Sequence, residues 1–348
     1  MGRAGEHRPA RGAPMGGLRV KVCARVCVRA CARIRASVRA NVWLLCLALL
    51  PLSGCIAGYT PAPGNDTGPA VGTVRGATKT SHSAARVDRI RVATYNIHHG
   101  VGADNVLDPG RIAAFLRQVD IALLNEVDVN WARSGFTDQA RAIAAAAGFE
   151  HYVFGPSLVL PHAVPGRAMP GPAEYGNAVL SRFPITRSER HLLPQPPGRE
   201  PRSALLAELS IDGAPLTVIA THLGLNRSER RAQAETLAAL VRKVRTPVIL
   251  AGDFNAHPDA PEVRLLTGML ADTHALAYEG PGLTFPALRP TARIDYILTS
   301  PDLAPHVLRH EVPESLASDH LPVVAEIAWG GYLVAVQAAT SREQDRSL

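Results

Sequence analysis

From residue 90 onward, apolar runs of strand length recur at 90–95, 121–124, 178–180, 204–211, 216–220, 248–250, 296–298 and 323–327, each closed by a polar or glycine-containing segment. Helical stretches separate several of them. Asp108 before Pro109 predicts an N-cap and a first-turn proline for a helix to about residue 119. Thr137 is placed to cap the Ala-rich stretch that stops before Gly148. Asn226 with Glu229 forms a variant capping box for a helix carrying Leu237, Leu240, Val241 and Val244 on one face. The pattern predicts one α/β domain over 87–330, roughly 240 residues, within single-domain range. Residues 56–86 are rich in Gly, Pro, Thr, Ser and Ala and are expected to be a flexible tether; the polar tail 331–348 is expected to be disordered.

Composition changes this picture mainly at the N-terminus. The formal charge of +7 invites a nucleic-acid reading, but residues 1–55 hold ten Lys/Arg and one acid, leaving 27 bases against 29 acids in the body. A body without excess positive charge disfavours a processive DNA nuclease. All five cysteines, Cys23, Cys27, Cys31, Cys46 and Cys55, lie in the same leader, so the body has no disulfide and no thiolate nucleophile. Arg33, Arg35 and Arg39 precede an apolar run over 42–52, which describes a secretory signal too short to span a bilayer comfortably. Leu52-Ser53-Gly54-Cys55 resembles the lipobox of bacterial lipoproteins, implying a lipid on Cys55 and attachment in the cell envelope, on the periplasmic side of the outer membrane. Translation beginning near Val38 would give this signal an ordinary length, and residues 1–37 are assigned no function.

The chemistry is concentrated where apolar runs end. In order, these ends and turns are Thr94-Tyr95-Asn96, Asn125-Glu126-Val127-Asp128, Tyr175-Gly176-Asn177, Thr221-His222-Leu223, Gly252-Asp253-Phe254-Asn255, Arg293-Ile294-Asp295-Tyr296 and Ser318-Asp319-His320. Strands that bring carboxylates, amides and imidazoles to one sheet edge suit metal-assisted hydrolysis of a phosphate ester. The ordered set resembles the endonuclease/exonuclease/phosphatase superfamily over about 91–327. The resemblance implies a four-layered α/β sandwich, two packed mixed β-sheets flanked by helices, with the site at one end. It also implies Glu126 as principal ligand of Mg²⁺ (Mn²⁺ being an alternative), with Asn96 and Asp319 close by, and Asp295 orienting the ring of His320, a pair that would act as general base or hold a transition-state-stabilising imidazolium. Asp253 would align and deprotonate the attacking water or protonate the leaving group, and His222, Asn255, Asn177 and Tyr175 would offer donors to phosphate oxygens.

A single strand-end Asp or Asn is ordinarily a turn or cap residue, and it is the ordered set that argues otherwise. The adjacent His98 and His99 resemble a metal pair, but neighbours on a strand face opposite sides, so at most one is expected at the site. Asp128, Arg133, Asp138 and Gln139 are expected to shape a loop, with substrate contact as the alternative. Asn125 stands where many relatives carry glutamine, so its shorter amide is expected to relocate a hydrogen bond behind the metal ligand. The proline-rich residues 155–173 read as an insertion beside Tyr175. The expected function is a monomeric, envelope-bound phosphoesterase acting on a phospholipid or small phosphate ester. A secreted nuclease of the same fold and a non-catalytic scaffold lipoprotein are the alternatives.

Overall fold

Strand β3 (Ile90–Asn96) sorts its side chains between two cores, Val92 to one and Ala93 and Tyr95 to the other, as period-two alternation requires. The computed structural model describes residues 60–61, 71–73, 86–161 and 171–346, so the leader with Cys55 and most of the expected tether lie outside the described residues. Before β3 come two short strands, β1 (Thr60–Pro61) and β2 (Val71–Thr73). After it follow β4 (Ile121–Val129), β5 (His151–Leu160), β6 (Ala173–Ser181), β7 (Ile185–Leu192), β8 (Ser203–Ile211) and β9 (Ala214–His222). The remaining strands are β10 (Val248–Asp253), β11 (Ala271–Asp272), β12 (Asp295–Thr299), β13 (Val307–Glu311) and β14 (Val323–Ile327). The helices are α1 (Pro109–Leu116), α2 (Gln139–Ala147), α3 (Arg227–Lys243), α4 (Pro261–Thr267), α5 (Thr273–Ala277) and α6 (Trp329–Arg346).

One sheet runs β1-β5-β6-β4-β3-β14-β13, with β2 also along β5; the other runs β11-β12-β10-β9-β8-β7. Both are mixed, because β3–β4 and β9–β10 are parallel and the other pairs antiparallel. Ile90, Val92, Leu123 and Val179 of the first sheet meet Leu205, Val218, Ile249 and Ile297 of the second in a shared core. Burying each such side chain stabilises the fold by roughly 2 kcal/mol. Helices α1 and α2 cover the outer face of the first sheet through Ile112, Leu116, Ile143 and Ala144, and α3 and α4 cover the second through Leu237, Val241, Val263 and Leu266. This is the expected four-layered sandwich.

Capping follows the expected chemistry with one displacement. Asp108 accepts from Gly110 N at the start of α1, and Asn226 accepts from Ser228 N at the start of α3. At α2 the cap is Asp138, which accepts from Arg141 N, and not Thr137. Two expectations are corrected. Residues 155–160 of the expected insertion belong to β5, whose register against β6 shifts between Pro156 and Leu158, while 162–170 lie outside the described residues. The tail 331–348, expected to be disordered, is helical as far as Arg346 in α6. Its anchor is Trp329, fully buried in the shared core beside Tyr332. Since Ile327 pairs with Ile90 and Val323 with Thr94, this helix leaves the sandwich at the end opposite Asn96.

Candidate active site

Two parallel pairs aim their C-terminal ends the same way, and two antiparallel strands begin there. His222 and Asp253 close β9 and β10 as register partners, and Asp295 opens β12 directly across from Asp253. A glycine is required at 252: its φ of 148° and its close approach to β9 mean that a Cβ would strike the Thr221 carbonyl oxygen. In the first sheet Asn96 closes β3, and Ser318-Asp319-His320 leads into β14. Glu126 is set by a bulge. The β4–β6 register breaks between Leu124 and Val127, and Glu126 adopts a φ of 59°, a left-handed conformation that L residues rarely take. Asn125, before it, faces the opposite sheet instead.

Asn96 stands at the centre. Its Nδ2 donates to Glu126 Oε1 and to Asp253 Oδ2, each at 3.1 Å, and lies 3.5 Å from His320 Nε2. His320 Nδ1 lies 2.9 Å from Asp295 Oδ2, and Nε2 lies 3.7 Å from Asp253 Oδ2. His222 Nε2 approaches the same Asp253 oxygen at 3.4 Å. Asp253 Oδ1 accepts from Asn255 N at 2.8 Å, which holds the carboxylate from behind. Ser318 Oγ donates to Asn96 O at 2.7 Å and so ties the Asp319-His320 turn to β3. Asp319 Oδ1 is 3.8 Å from His98 Nδ1.

Electrostatics separates the two histidines. Burial opposes a charge on His320, but the carboxylates of Asp295 and Asp253 more than offset it and push its pKa up to about 10. Burial, reinforced by the Arg202 guanidinium, holds His222 well below its ordinary value. Asp253 is pushed up to about 7 by burial and by the negative charge of Asp295, with His320 opposing. Burial raises Glu126 as well, against its bond from Asn96 and with a further push from the nearby Asp319.

Several expected residues take other places. Asn177, expected to donate to phosphate, is buried with both amide ends committed: Oδ1 accepts from Asn125 Nδ2 at 2.8 Å and Nδ2 donates to Ser203 O at 2.9 Å. Asn96, expected among the metal ligands, turns its nitrogen to the acids, while its Oδ1 accepts from His98 N at 3.1 Å. It therefore enters as the donor that ties Glu126 to Asp253. Asn255, expected to donate to phosphate, gives one side-chain N–H to Leu223 O at 2.9 Å, and the same nitrogen lies 3.0 Å from His222 Nε2. Tyr175 is buried under the guanidinium of Arg133, 5.4 Å from its ring centroid. His98 and His99 lie in a tight turn, not on a strand, and of the two it is His98 that approaches a site acid. The loop reading of Asp128, Arg133, Asp138 and Gln139 matches the geometry. Arg133 forks onto Asp128 with two bonds of 2.8 Å, and Gln139 bonds Asp128 N and His99 O.

Sequence reasoning missed Arg202 and Phe285. Arg202 Nη1 lies 2.9 Å from His222 Nδ1, and the Phe285 ring packs 4.7 Å from that of His320. In the sequence Arg202 is one arginine among many ahead of a strand, and no spacing marks it. The role expected of Asn125 is larger than foreseen. Beyond Asn177, its Nδ2 donates to Thr221 O at 2.9 Å and its Oδ1 accepts from Asp253 N at 3.0 Å, which joins the two sheets beneath the site.

Two groups invite a cation. Donor atoms of Asp253, Asp295 and His320 all lie within 4.8 Å of one another, but Asp295 Oδ2 and His320 Nδ1 are already bonded to each other at 2.9 Å. Glu126 and Asp319 fit better. They are hard oxygen donors, and Glu126 is raised by burial first and by the Asp319 charge after it, both of which a divalent cation would offset.

Residues 93–320 match the sequence profile of the Endonuclease/Exonuclease/phosphatase family. The protein YbhP of Escherichia coli K12 is 30% identical over 262 residues, spanning 68% of this chain and 95% of that protein. Among solved structures, an endonuclease/exonuclease/phosphatase from Beutenbergia cavernae superposes with a TM-score of 0.57 at 29% identity, covering 70% of this chain and 72% of that one. The mannosyl-6-phosphatase Bt3783 of Bacteroides thetaiotaomicron shares the fold, with a TM-score of 0.53 at 20% identity over 68% of this chain and 98% of that one. Members of the family are hydrolases of phosphoester bonds and typically depend on a divalent metal. Sandwich, strand-end acids and profile agree from Ala93 to His320, and the chain belongs to the Endonuclease/Exonuclease/phosphatase family.

Proposed function

We propose that this chain is a Mg²⁺-dependent phosphoesterase, with Mn²⁺ as an alternative ion, that hydrolyses a phospholipid or a small phosphate ester at the cell envelope. The observation that carries this reading is the convergence of Glu126, Asp253 and His320 on the Asn96 amide, with Asp295 behind His320. Glu126 and Asp319 would hold the ion, which when bound neutralises charge on a phosphoryl oxygen and the leaving alkoxide. The His320 imidazolium, kept charged by Asp295, stabilises negative charge as it grows on the phosphorane-like transition state. Asp253 lies between both histidines, with a proton affinity near neutrality, and takes the proton of the attacking water. The near-neutral body favours small or lipid phosphates over DNA.

Purified body, screened against phospholipids, sphingomyelin, inositol phosphates, sugar phosphates, nucleotides and DNA with Mg²⁺ and with EDTA, tests this reading. EDTA-sensitive release of phosphate or of a phospho-headgroup is expected. DNA as the only substrate cleaved would favour the nuclease alternative, and inactivity throughout would favour the scaffold.

A further inference from the structure

The wall of the site formed by β8, β9 and β10 holds more N–H groups than acceptors. Arg202, just ahead of β8, is only 7% exposed, and a guanidinium carries five N–H groups and no lone pair. Among the described residues its polar contacts run through Nη1, which lies 2.9 Å from His222 Nδ1 and 2.8 Å from Glu200 Oε1. Its Nε is enclosed and has no acceptor. His222 adds to the excess. A neutral imidazole has one ring lone pair, yet Arg202 Nη1 faces Nδ1 and Asn255 Nδ2 lies 3.0 Å from Nε2, so one of these donors goes unanswered whichever nitrogen carries the hydrogen. Buried N–H groups without acceptors are costly, and a set of them at the mouth of a site calls for an acceptor from outside the chain. Burial opposes the charge on Arg202, while Glu200 at the rim and Glu126 and Asp253 within the site favour it. Along the strand order β12-β10-β9-β8, Asp295 with His320 stands on one side of Asp253, and His222 with Arg202 on the other.

We propose that Arg202 is a substrate-binding residue that takes a non-bridging oxygen of the phosphoryl group and selects phosphate monoesters over diesters. The inference rests on the phosphoesterase reading and narrows its substrate. A diester has two non-bridging oxygens that share one negative charge. A monoester has three, with nearly two charges above its second pKa of about 6. In that reading His320 answers one oxygen, and Glu126 with Asp319, through their ion, answers a second. Those anchors suffice for a diester. The guanidinium on the β8 side is a third anchor that stays charged at any working pH, and a monoester brings it a third oxygen with charge to match. A diester would set an esterified oxygen, a poor acceptor, against the same buried N–H groups.

Two substrates with the same leaving group test this at pH 8 with Mg²⁺: p-nitrophenyl phosphate, a monoester, and methyl p-nitrophenyl phosphate, a diester. The wild type is expected to favour the first. In Arg202→Met, kcat/KM on the monoester should fall about tenfold or more, from loss of a charged hydrogen bond, and change little on the diester. Arg202→Lys, which keeps the charge without the fork, should recover part of the monoester rate. Inorganic phosphate, titrated into the folded protein by calorimetry, should bind more weakly to Arg202→Met and more tightly to Glu200→Gln, which frees the guanidinium of its rim carboxylate. Equal losses on the two esters, or phosphate affinity indifferent to Arg202→Met, would overturn the proposal. Should Arg202→Met not fold, an undiminished monoester preference in Arg202→Lys or an unchanged phosphate affinity in Glu200→Gln overturns it instead. A wild type inactive on both esters would sink the phosphoesterase reading, while phosphate binding still decides the role of Arg202.

Discussion

His320 and Asp295 are a buried pair, Nδ1 to Oδ2 at 2.9 Å, built from the start of β12 and the turn ahead of β14, 25 residues apart in sequence. The carboxylate orients the ring and, with Asp253, raises its proton affinity. If Asp295 works through His320, the two losses are strongly non-additive. His320→Ala and Asp295→Ala should each cut turnover, the first by more, with the double variant little worse than His320→Ala. Turnover at saturating Mg²⁺, on variants verified as folded, checks this; fully multiplicative losses would end the pairing.

Glu126→Gln keeps the shape of the side chain and removes its charge. The fold and the left-handed backbone at this position should survive, while Mg²⁺ affinity falls. The expected signature is a loss of activity of tenfold or more at limiting Mg²⁺, of the order seen when a ligand shell is disturbed, with partial recovery at high Mg²⁺. Unchanged activity at limiting Mg²⁺ would remove Glu126 from the ion's shell.

Asn125 is fully buried and bonds Asn177, Thr221 and Asp253. Asn125→Ala strands three buried polar groups, and a loss of about 3 kcal/mol in urea unfolding is expected. Because Asp253 N is one of the three, turnover should fall in the fraction that remains folded. A loss below 1 kcal/mol, on the same scale, would mean that the three partners re-pair without the amide.

His310 supplies a pH dependence away from the site. It is buried, bonds Thr273 Oγ1 through Nδ1 at 2.9 Å, and is pushed down to about 3, by burial first and then by neighbouring positive charge from His274 and Arg293. Its pKa is lower folded than unfolded, so the unfolded chain binds more protons between those values. The stability it contributes is complete above about pH 6.5 and is lost as pH falls toward 3, at no more than about 1.4 kcal/mol per pH unit. His310→Gln should flatten the fall in stability between pH 7 and pH 4.5, measured by urea titration. An equally steep fall in the variant would assign the acid sensitivity to other groups.

Cys55 lies outside the described residues, and its lipid remains an inference from Leu52-Ser53-Gly54-Cys55. Mass spectrometry of the mature protein is expected to find a lipidated cysteine at the N-terminus, and Cys55→Ser should move the protein from the membrane to the soluble fraction. An unmodified N-terminus elsewhere would rule out this lipid anchor.

The sequence by itself determined the strand-end acids, their order and the buried strands, because an apolar run closed by Asp, Glu, Asn or His is a local pattern. It did not reveal β7 or β13, which are edge strands with much polar or exposed surface, nor β5, whose Gly155 and Pro156 read as a loop. The tail was misread for a related reason: its residues after Trp329 are weakly amphipathic, and what holds the helix is one tryptophan packed into a core formed by distant strands. Tertiary structure alone decided which side chains touch. Asn125 and Asp253 are 128 residues apart, and Arg202 and His222 meet across two strands through a guanidinium that nothing in the spacing distinguishes from a solvated one. Sheet packing buries these partners together, so the neighbours of His222 and His320 could be read only once the two sheets had closed on each other.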